Sequence, residues 1–153
     1  MHSAAEDFAL ADLAIGQSAQ FEVTVEAADI DRFAALSGDF SPLHIDADFA
    51  RRRGFPGPVA HGAYLSALAS RLVGMYLPGR DALLLQLRMS FAAPVVAGSR
   101  VKVRGTIVQI SEAVRSAVVE LRIVEAETLT PLARGKLTVG LIADPLSEEA
   151  ADA

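Results

Sequence analysis

The sequence contains no cysteine, which excludes disulfide bonds, thiolate metal ligands and a cysteine nucleophile. It has no glycine-rich phosphate loop, and the spacing of its His, Asp and Glu residues does not suggest a metal site. Acidic residues outnumber basic ones and give a formal net charge of −5, which argues against nucleic acid as the main partner. A small anionic ligand is compatible with this charge, because local basic residues can oppose the overall sign.

Uninterrupted apolar runs of membrane-spanning length are also missing. The longest apolar segment, residues 59–77, is broken by His61, Ser66, Ser70, Arg71 and glycines, so we interpret it as a buried helix. The first residues carry Asp and Glu in place of the basic region of a signal peptide. We therefore expect a cytoplasmic protein without a membrane partner.

Length and composition fit a single domain. The chain has 153 residues, 52% of them hydrophobic, which is enough for a substantial core. We expect this domain to occupy residues 1–142 and the polar, acidic tail 143–153 to be disordered. Helical spacing predicts one helix over residues 27–36 and a second, strongly apolar helix over 60–77. Residues 39–58, between these helices, are predicted to be mostly loop, with a short helical turn around residues 47–53.

The second half of the chain alternates apolar and polar residues with the period of β-strands. The predicted strands lie near residues 83–91, 101–110, 121–123 and 133–141, and an earlier strand lies near 21–25. Strands that follow one another without helices form antiparallel sheets, so the predicted fold class is α+β. We expect the apolar helix to lie along the concave face of the sheet and to keep no face in water, because either the sheet wraps it or a second subunit covers it.

Two segments carry the candidate chemistry. SGDFSPLHID, residues 37–46, places Asp39 and His44 five residues apart across turn-forming residues. A carboxylate and an imidazole held on a loop are suited to general acid–base work on a shared water or substrate proton. In PVAHGAYLSALAS, residues 58–70, a loop passes into the apolar helix, whose first free N–H groups near Gly62 can hold a developing negative charge. Together the segments predict a site that moves a proton while polarising a carbonyl.

Both segments resemble those of MaoC-like dehydratases and (R)-specific enoyl-CoA hydratases. SGDFSPLHID is similar to the signature Ser-Gly-Asp-x-Asn-Pro-x-His-x-Asp, and AHGAYLSALASRLVGMYLPG is similar to the central helix of that family. LRMSFAAPVVAGSRVKV resembles the strand–turn–strand that follows, so the resemblance covers roughly residues 20–142. It implies a hot-dog fold, in which an antiparallel sheet wraps around a long central helix. It also implies a homodimer or dimer of dimers and acyl-thioester substrates.

The resemblance assigns a role to individual residues. The catalytic aspartate and histidine of the family match Asp39 and His44, and its oxyanion-hole amide matches Gly62. One departure is Ser41, which stands where the signature has Asn and offers a shorter side chain with one hydroxyl. Ser70 matches a serine near the active site of some members.

We count three residues as candidate substrate-binding residues: Ser41, His61 and Ser70. His61 has a structural alternative, since it stands beside a glycine at a helix start. For Ser70 the alternative is a hydroxyl that bonds back to a carbonyl one turn earlier in the helix.

The implied reaction is the reversible hydration of a trans-2-enoyl-CoA to an (R)-3-hydroxyacyl-CoA. It needs no cofactor and no metal, and the acyl group is carried by coenzyme A or by an acyl carrier protein. One alternative is a hot-dog acyl-CoA thioesterase, which would direct water at the thioester carbonyl. Another is a non-catalytic module that binds acyl thioesters, which the presence of both Asp39 and His44 disfavours.

Overall fold

The computed structural model describes residues 3–143 and contains a five-stranded antiparallel sheet with helices packed against it. The strands are β1 (Ser18–Thr24), β2 (Ala82–Phe91), β3 (Arg100–Ser111), β4 (Ser116–Glu125) and β5 (Pro131–Leu141). Their order in the sheet is β1-β3-β4-β5-β2, so β1 and β2 are the two edges. The predicted α+β class is confirmed. Of the predicted tail, only Ala143 is among the described residues.

All the described helices precede β2 in the chain. They are a short 3-10 helix (Leu10–Asp12), α1 (Ala27–Ser37), α2 (Pro42–Ile45), α3 (Ala47–Arg52) and α4 (Gly62–Met75). The segment between α1 and α4 thus contains two short helices. The helix α3 confirms the helical turn predicted around residues 47–53, whereas α2 lies where a loop was predicted. Within residues 3–143, no helix combines the length and the apolar character needed to cross a membrane.

The long helix α4 packs on the sheet through one buried side. Its buried residues are Leu65, Leu68, Ala69, Leu72 and Val73. β3 comes very close to this side, because a Cβ atom at Gly105 would lie only 2.4 Å from Leu72 Cδ2. Glycine at this position therefore lets the helix and the sheet share one core.

The opposite side of α4 is open in the single chain. Ala63, Ala67 and Ser70 are exposed there, so the sheet alone does not cover the helix, and its predicted exclusion from water depends on a second subunit. The helix also begins at Gly62 and ends at Met75, inside the predicted bounds of 60 and 77.

The edge strand β2 departs from simple alternation. A β-bulge between Leu84 and Gln86 shifts its register against β5. As a result Leu84 and Leu87 pack against the core, whereas Leu83 and Leu85 are 52% and 58% exposed. Strict alternation over the predicted strand 83–91 would put Leu83, Leu85 and Leu87 on one face, but the bulge interrupts that period.

Candidate active site

A tight turn at the end of α1 positions Asp39. Gly38 adopts a left-handed conformation with φ of 77°, and its N–H donates to the Ala34 carbonyl at 2.9 Å. Glycine takes this conformation without steric strain, as expected for the predicted helix stop. Ser37 Oγ donates to the Phe33 carbonyl at 2.7 Å and accepts the Asp39 N–H at 3.2 Å. The Ser37 hydroxyl therefore connects the last turn of α1 to the main chain of Asp39 and stabilises the turn.

The Asp39 carboxylate is half-exposed and has two different environments. Its Oδ1 accepts the main-chain N–H of Ser41 at 3.1 Å, which closes a turn of the kind Asp favours. Its Oδ2 faces two imidazoles and lies 4.0 Å from Nε2 of His44 and 4.0 Å from Nε2 of His61. One carboxylate oxygen thus fixes the turn, and the other is directed at the histidines.

His44 lies on α2, in a segment for which the sequence predicts a loop. The helix begins at Pro42, a residue well suited to the first helical position. The Nδ1 atom of His44 hydrogen-bonds to the carbonyl of Val59, and the Val59 N–H donates to the Leu43 carbonyl at 3.1 Å. Because a carbonyl can only accept, Nδ1 carries the hydrogen, and Nε2 of the neutral ring is the acceptor nitrogen. This acceptor faces Asp39.

His61 lies beneath both members of the pair. Its side chain is 3% exposed, and its ring stacks on that of His44 with 3.8 Å between centroids and 25° between planes. Its Nε2 donates to the main-chain carbonyl of Asp39 at 2.9 Å. Residues from α1, α2 and the start of α4 therefore meet at one point.

The three side chains form a group that the sequence spacing did not suggest. Ligand atoms of Asp39, His44 and His61 all lie within 4.8 Å of one another. A metal ion binds an imidazole in the ring plane at about 2.0–2.1 Å from its nitrogen. The two rings are stacked with 25° between their planes, so an ion in the plane of one ring would lie well out of the plane of the other. In addition, Nε2 of His61 is engaged with a carbonyl, so the arrangement suits proton transfer better than metal coordination.

The start of α4 lies directly beside this group. Gly62 follows His61 and is the first residue of the helix, where N–H groups have no intrahelical acceptor. The positive end of the helix dipole favours negative charge here. The ring of Phe91, the last residue of β2, lies against Gly62, since a Cβ atom added there would be 3.2 Å from it. The Gly62 N–H group, the Phe91 ring and the two histidines therefore lie next to one another.

Comparison with known proteins agrees with this geometry. Residues 11–128, which are most of the chain, match the family model described as MaoC like domain. The chain belongs to the MaoC-like dehydratase family. Among MaoC-like relatives, the (R)-specific enoyl-CoA hydratase of Aeromonas caviae is 43% identical over 89 residues. That alignment covers 58% of this chain and 66% of the hydratase, slightly less than two thirds of its length.

Solved structures of MaoC-like hydratases extend the comparison. The (R)-hydratase from A. caviae has a TM-score of 0.81 at 35% identity and covers 85% of this chain and 98% of its own. R-hydratase PhaJ1 from Pseudomonas aeruginosa has a TM-score of 0.87 at 26% identity, covering 93% and 90%. The hot-dog fold implied by the sequence resemblance is confirmed by these structures.

Ser41 is the point at which the chain leaves the MaoC-like signature. Its side chain is exposed, and its hydroxyl makes no hydrogen bond within the part of the chain that the structure describes. The contact to Asp39 comes from the main-chain N–H of Ser41, which any residue except proline supplies. Support of the carboxylate in this protein thus does not depend on the side chain at position 41.

Ser70, the other serine expected near the site, is exposed on α4. It lies eight residues beyond Gly62, which is about 12 Å along a helix, and its face is shared with Ala63 and Ala67. Within the single chain, the structure does not bring it together with the Asp39–His44 pair. Its substrate-binding role stays a prediction.

Two aromatic neighbours of the site were missed as site residues. Phe33 packs against the His61 ring at 5.0 Å between centroids and against Tyr64 at 5.9 Å. The sequence indicated Phe33 only as a residue on the apolar side of α1. Phe91 is distant in the sequence from the other site residues, and no sequence pattern marks it as one of them. Burial, with a contribution from the charge of Asp29, raises the pKa of Tyr64, so its phenol stays protonated at neutral pH.

Proposed function

We propose that this protein catalyses the reversible hydration of a trans-2-enoyl-CoA to an (R)-3-hydroxyacyl-CoA. The observation that carries the proposal is the 4.0 Å separation between Asp39 Oδ2 and His44 Nε2. This separation is too long for a direct hydrogen bond, and it allows one water to lie about 2.8 Å from each atom. Similarity to an (R)-specific enoyl-CoA hydratase supports the substrate class and the (R) configuration.

Both atoms at this gap are acceptors in the resting site. Nδ1 of His44 donates to the Val59 carbonyl, which leaves Nε2 with a lone pair, and Asp39 Oδ2 is a carboxylate oxygen that can only accept. A water donating to the two acceptors would present its own lone pairs to a substrate. The gap therefore orients a nucleophile as well as binding it.

The reaction balances with these groups alone. The Gly62 N–H donates to the thioester oxygen, which draws electron density away from C3 of the enoyl group. The water oxygen bonds to C3 as one O–H bond breaks towards the pair, and the pair returns a proton to C2. Water is thereby added across the double bond, and Asp39 and His44 end in their starting states. The reverse sequence removes water.

We further propose coenzyme A as the carrier and no metal or cofactor in the reaction. The named substrate class of the A. caviae relative supports the carrier. The stacked imidazoles support a metal-free site, because an ion in the plane of one ring would lie out of the plane of the other.

We also propose that two copies of the chain assemble through β2. This strand is an edge of the sheet, and Leu83 and Leu85 on it are more than half exposed. An edge strand with exposed apolar residues is a ready surface for pairing with another chain. A second copy would also be able to cover the small-residue face of α4.

The function is tested by following the enoyl-thioester absorbance of purified protein with crotonyl-CoA and longer or branched enoyl-CoAs. Hydration is expected to remove this absorbance without releasing thiol, and an enoyl acyl carrier protein is expected to react more slowly than the CoA ester. Release of free thiol from acyl-CoA would instead identify a thioesterase. Binding of enoyl-CoA without turnover would identify a binding module, and either result would overturn the proposal.

A further inference from the structure

His61 contacts both members of the Asp39–His44 pair, and the mechanism above does not use it. We propose that His61 is a positioning residue that sets the distance between Asp39 and His44 and does not touch the substrate. This role is assigned from the contacts of the His61 side chain. Its kinetic test rests on the proposed hydration activity.

The first contact fixes Asp39. The Nε2–H group of His61 donates to the main-chain carbonyl of Asp39 at 2.9 Å. This carbonyl belongs to the residue that carries the reacting carboxylate, in a turn with no other regular structure. The bond therefore ties the turn after α1 to the start of α4, which lies 22 residues further along the chain.

The second contact fixes His44. The two imidazoles stack face to face at 3.8 Å, and Phe33 packs on His61 at 5.0 Å. His44 is held at Nδ1 by one hydrogen bond, about which its ring could still tilt. Stacking against a buried ring opposes that tilt and keeps Nε2 facing Asp39. A single side chain thus defines both ends of the 4.0 Å gap.

The buried Nδ1 atom of His61 helps to distinguish a positioning role from a packing role. Within the described residues, Nδ1 of His61 is buried and has no hydrogen-bond partner. A buried polar atom without a partner lowers stability, so packing alone would favour an apolar ring here. With 3% exposure, the ring also has almost no surface with which to contact a substrate. What histidine adds over phenylalanine at this position is the Nε2–H bond to Asp39.

The test compares two substitutions that each keep one half of the contact. His61→Phe retains a ring that can stack on His44 and loses the donor. His61→Gln retains a side-chain N–H at a position similar to Nε2 and loses the ring. Tyr64→Phe serves as a control, because Tyr64 packs on Phe33 and contacts neither Asp39 nor His44 in the described contacts. Enoyl-CoA hydration and thermal unfolding are measured for all of them.

We expect His61→Phe to lower kcat by about 10–100-fold, the scale of a slightly misplaced reacting group, and to leave KM within about 3-fold. Its Tm is expected to be unchanged or higher, because the unpartnered nitrogen is removed. The kcat of His61→Gln is expected to be at least about 10-fold higher than that of His61→Phe, and the kcat of Tyr64→Phe is expected to stay near the wild-type value. A wild-type kcat in His61→Phe, a rise in KM in place of the fall in kcat, or a Gln variant no better than Phe would each overturn the proposal.

A spectroscopic measurement tests the contact even if the protein proves not to be a hydratase. In 15N-labelled protein, the Nε2–H of His61 should give a slowly exchanging ring signal that is absent from His61→Phe. The Asp39 and Phe40 amide signals should broaden in that variant. Failure of the wild type to hydrate enoyl-CoA would overturn the proposed function alone. Absence of the protected ring proton would overturn the positioning role alone.

Discussion

The ring of Phe91 lies against the first residue of α4, so that a Cβ atom at Gly62 would come within 3.2 Å of it. His61, the residue before, has φ of −60° and ψ of 140°, an extended conformation that is compatible with a following proline. Proline is also well tolerated at the first helical position. Position 62 therefore accepts a residue that lacks the N–H group without loss of the helix.

Gly62→Pro should lower hydration by about 100–1,000-fold, the usual effect of removing one oxyanion-hole donor. Gly62→Ala is the matched control, because it makes the same Cβ contact with Phe91 and keeps the N–H group. Steady-state kinetics and circular dichroism of both variants check this. Equal activities of the two variants would show that the Gly62 amide does not contact the thioester.

Asp39→Asn and His44→Ala should each reduce hydration by at least about 100-fold, the lower range for loss of a positioned acid–base group. The double variant should be little worse than the worse single variant, because the two groups act on one water. Folding should survive, since neither side chain belongs to the core cluster. The prediction would fail if either single variant kept near-wild-type turnover.

Ser41→Asn should preserve hydration, with kcat within about 10-fold of wild type, equivalent to about 1.4 kcal/mol in the barrier. Ser41→Ala should behave similarly, because the contact to Asp39 Oδ1 comes from the main chain. Both variants are assayed over a series of enoyl-CoAs. Complete loss of activity in folded Ser41→Ala would instead assign a catalytic part to the hydroxyl.

Glu125 should make the β4–β5 connection sensitive to acid. Its carboxylate accepts the Thr128 N–H at 2.6 Å, the Thr128 hydroxyl at 2.8 Å and the Glu127 N–H at 2.9 Å. These hydrogen bonds, the one from the Thr128 N–H first, lower the pKa of Glu125 below its ordinary value of 4.5. A depressed pKa contributes stability above the unfolded-state value, and that contribution is lost as pH falls through the folded-state value.

Glu125→Gln should therefore lower Tm at pH 7 relative to wild type, and the difference should fade as pH is lowered past 4.5. Glu127→Gln is the control, since only its main chain takes part in these bonds in the described structure. Thermal unfolding across pH checks both. A Tm difference that stayed constant down to low pH would exclude the carboxylate as its source.

Light scattering at low micromolar concentration should give at least twice the mass of one chain. Leu85→Lys should shift the protein towards monomer, because it charges an exposed position on the β2 edge. Val114→Lys, at a position that is 70% exposed in the turn between β3 and β4, should not. A monomeric wild type, or equal effects of the two lysines, would contradict assembly through β2.

The sequence predicted those parts of the site that depend on local turn chemistry. Gly38 ends α1 in the left-handed conformation that the Ser-Gly pair indicated, and Asp39 follows it as expected. The proximity of Asp39 and His44 could be predicted, because a short turn brings the two residues together whatever the rest of the fold does. The short helix α2 was missed, since four residues are too few to show helical periodicity.

Other features depend on contacts between distant segments, which periodicity does not report. The stack of His61 on His44 requires α2 and the start of α4 to meet, and Phe91 reaches Gly62 only because α4 crosses β2. The bulge in β2 comes from pairing with β5 and reverses the faces of Leu83 and Leu85. Tertiary packing determines each of these three features, and local sequence propensity does not predict them.

The three hydrogen bonds that shape the candidate site all involve main-chain groups: the Ser41 N–H, the Val59 carbonyl and the Asp39 carbonyl. Every amino acid supplies a carbonyl, and all but proline supply an N–H. The side chains at positions 41 and 59 can therefore change without dismantling the geometry of the pair. Such a scaffold lets substitutions beside the Asp39–His44 pair change the shape of the site while the arrangement of the pair itself is kept.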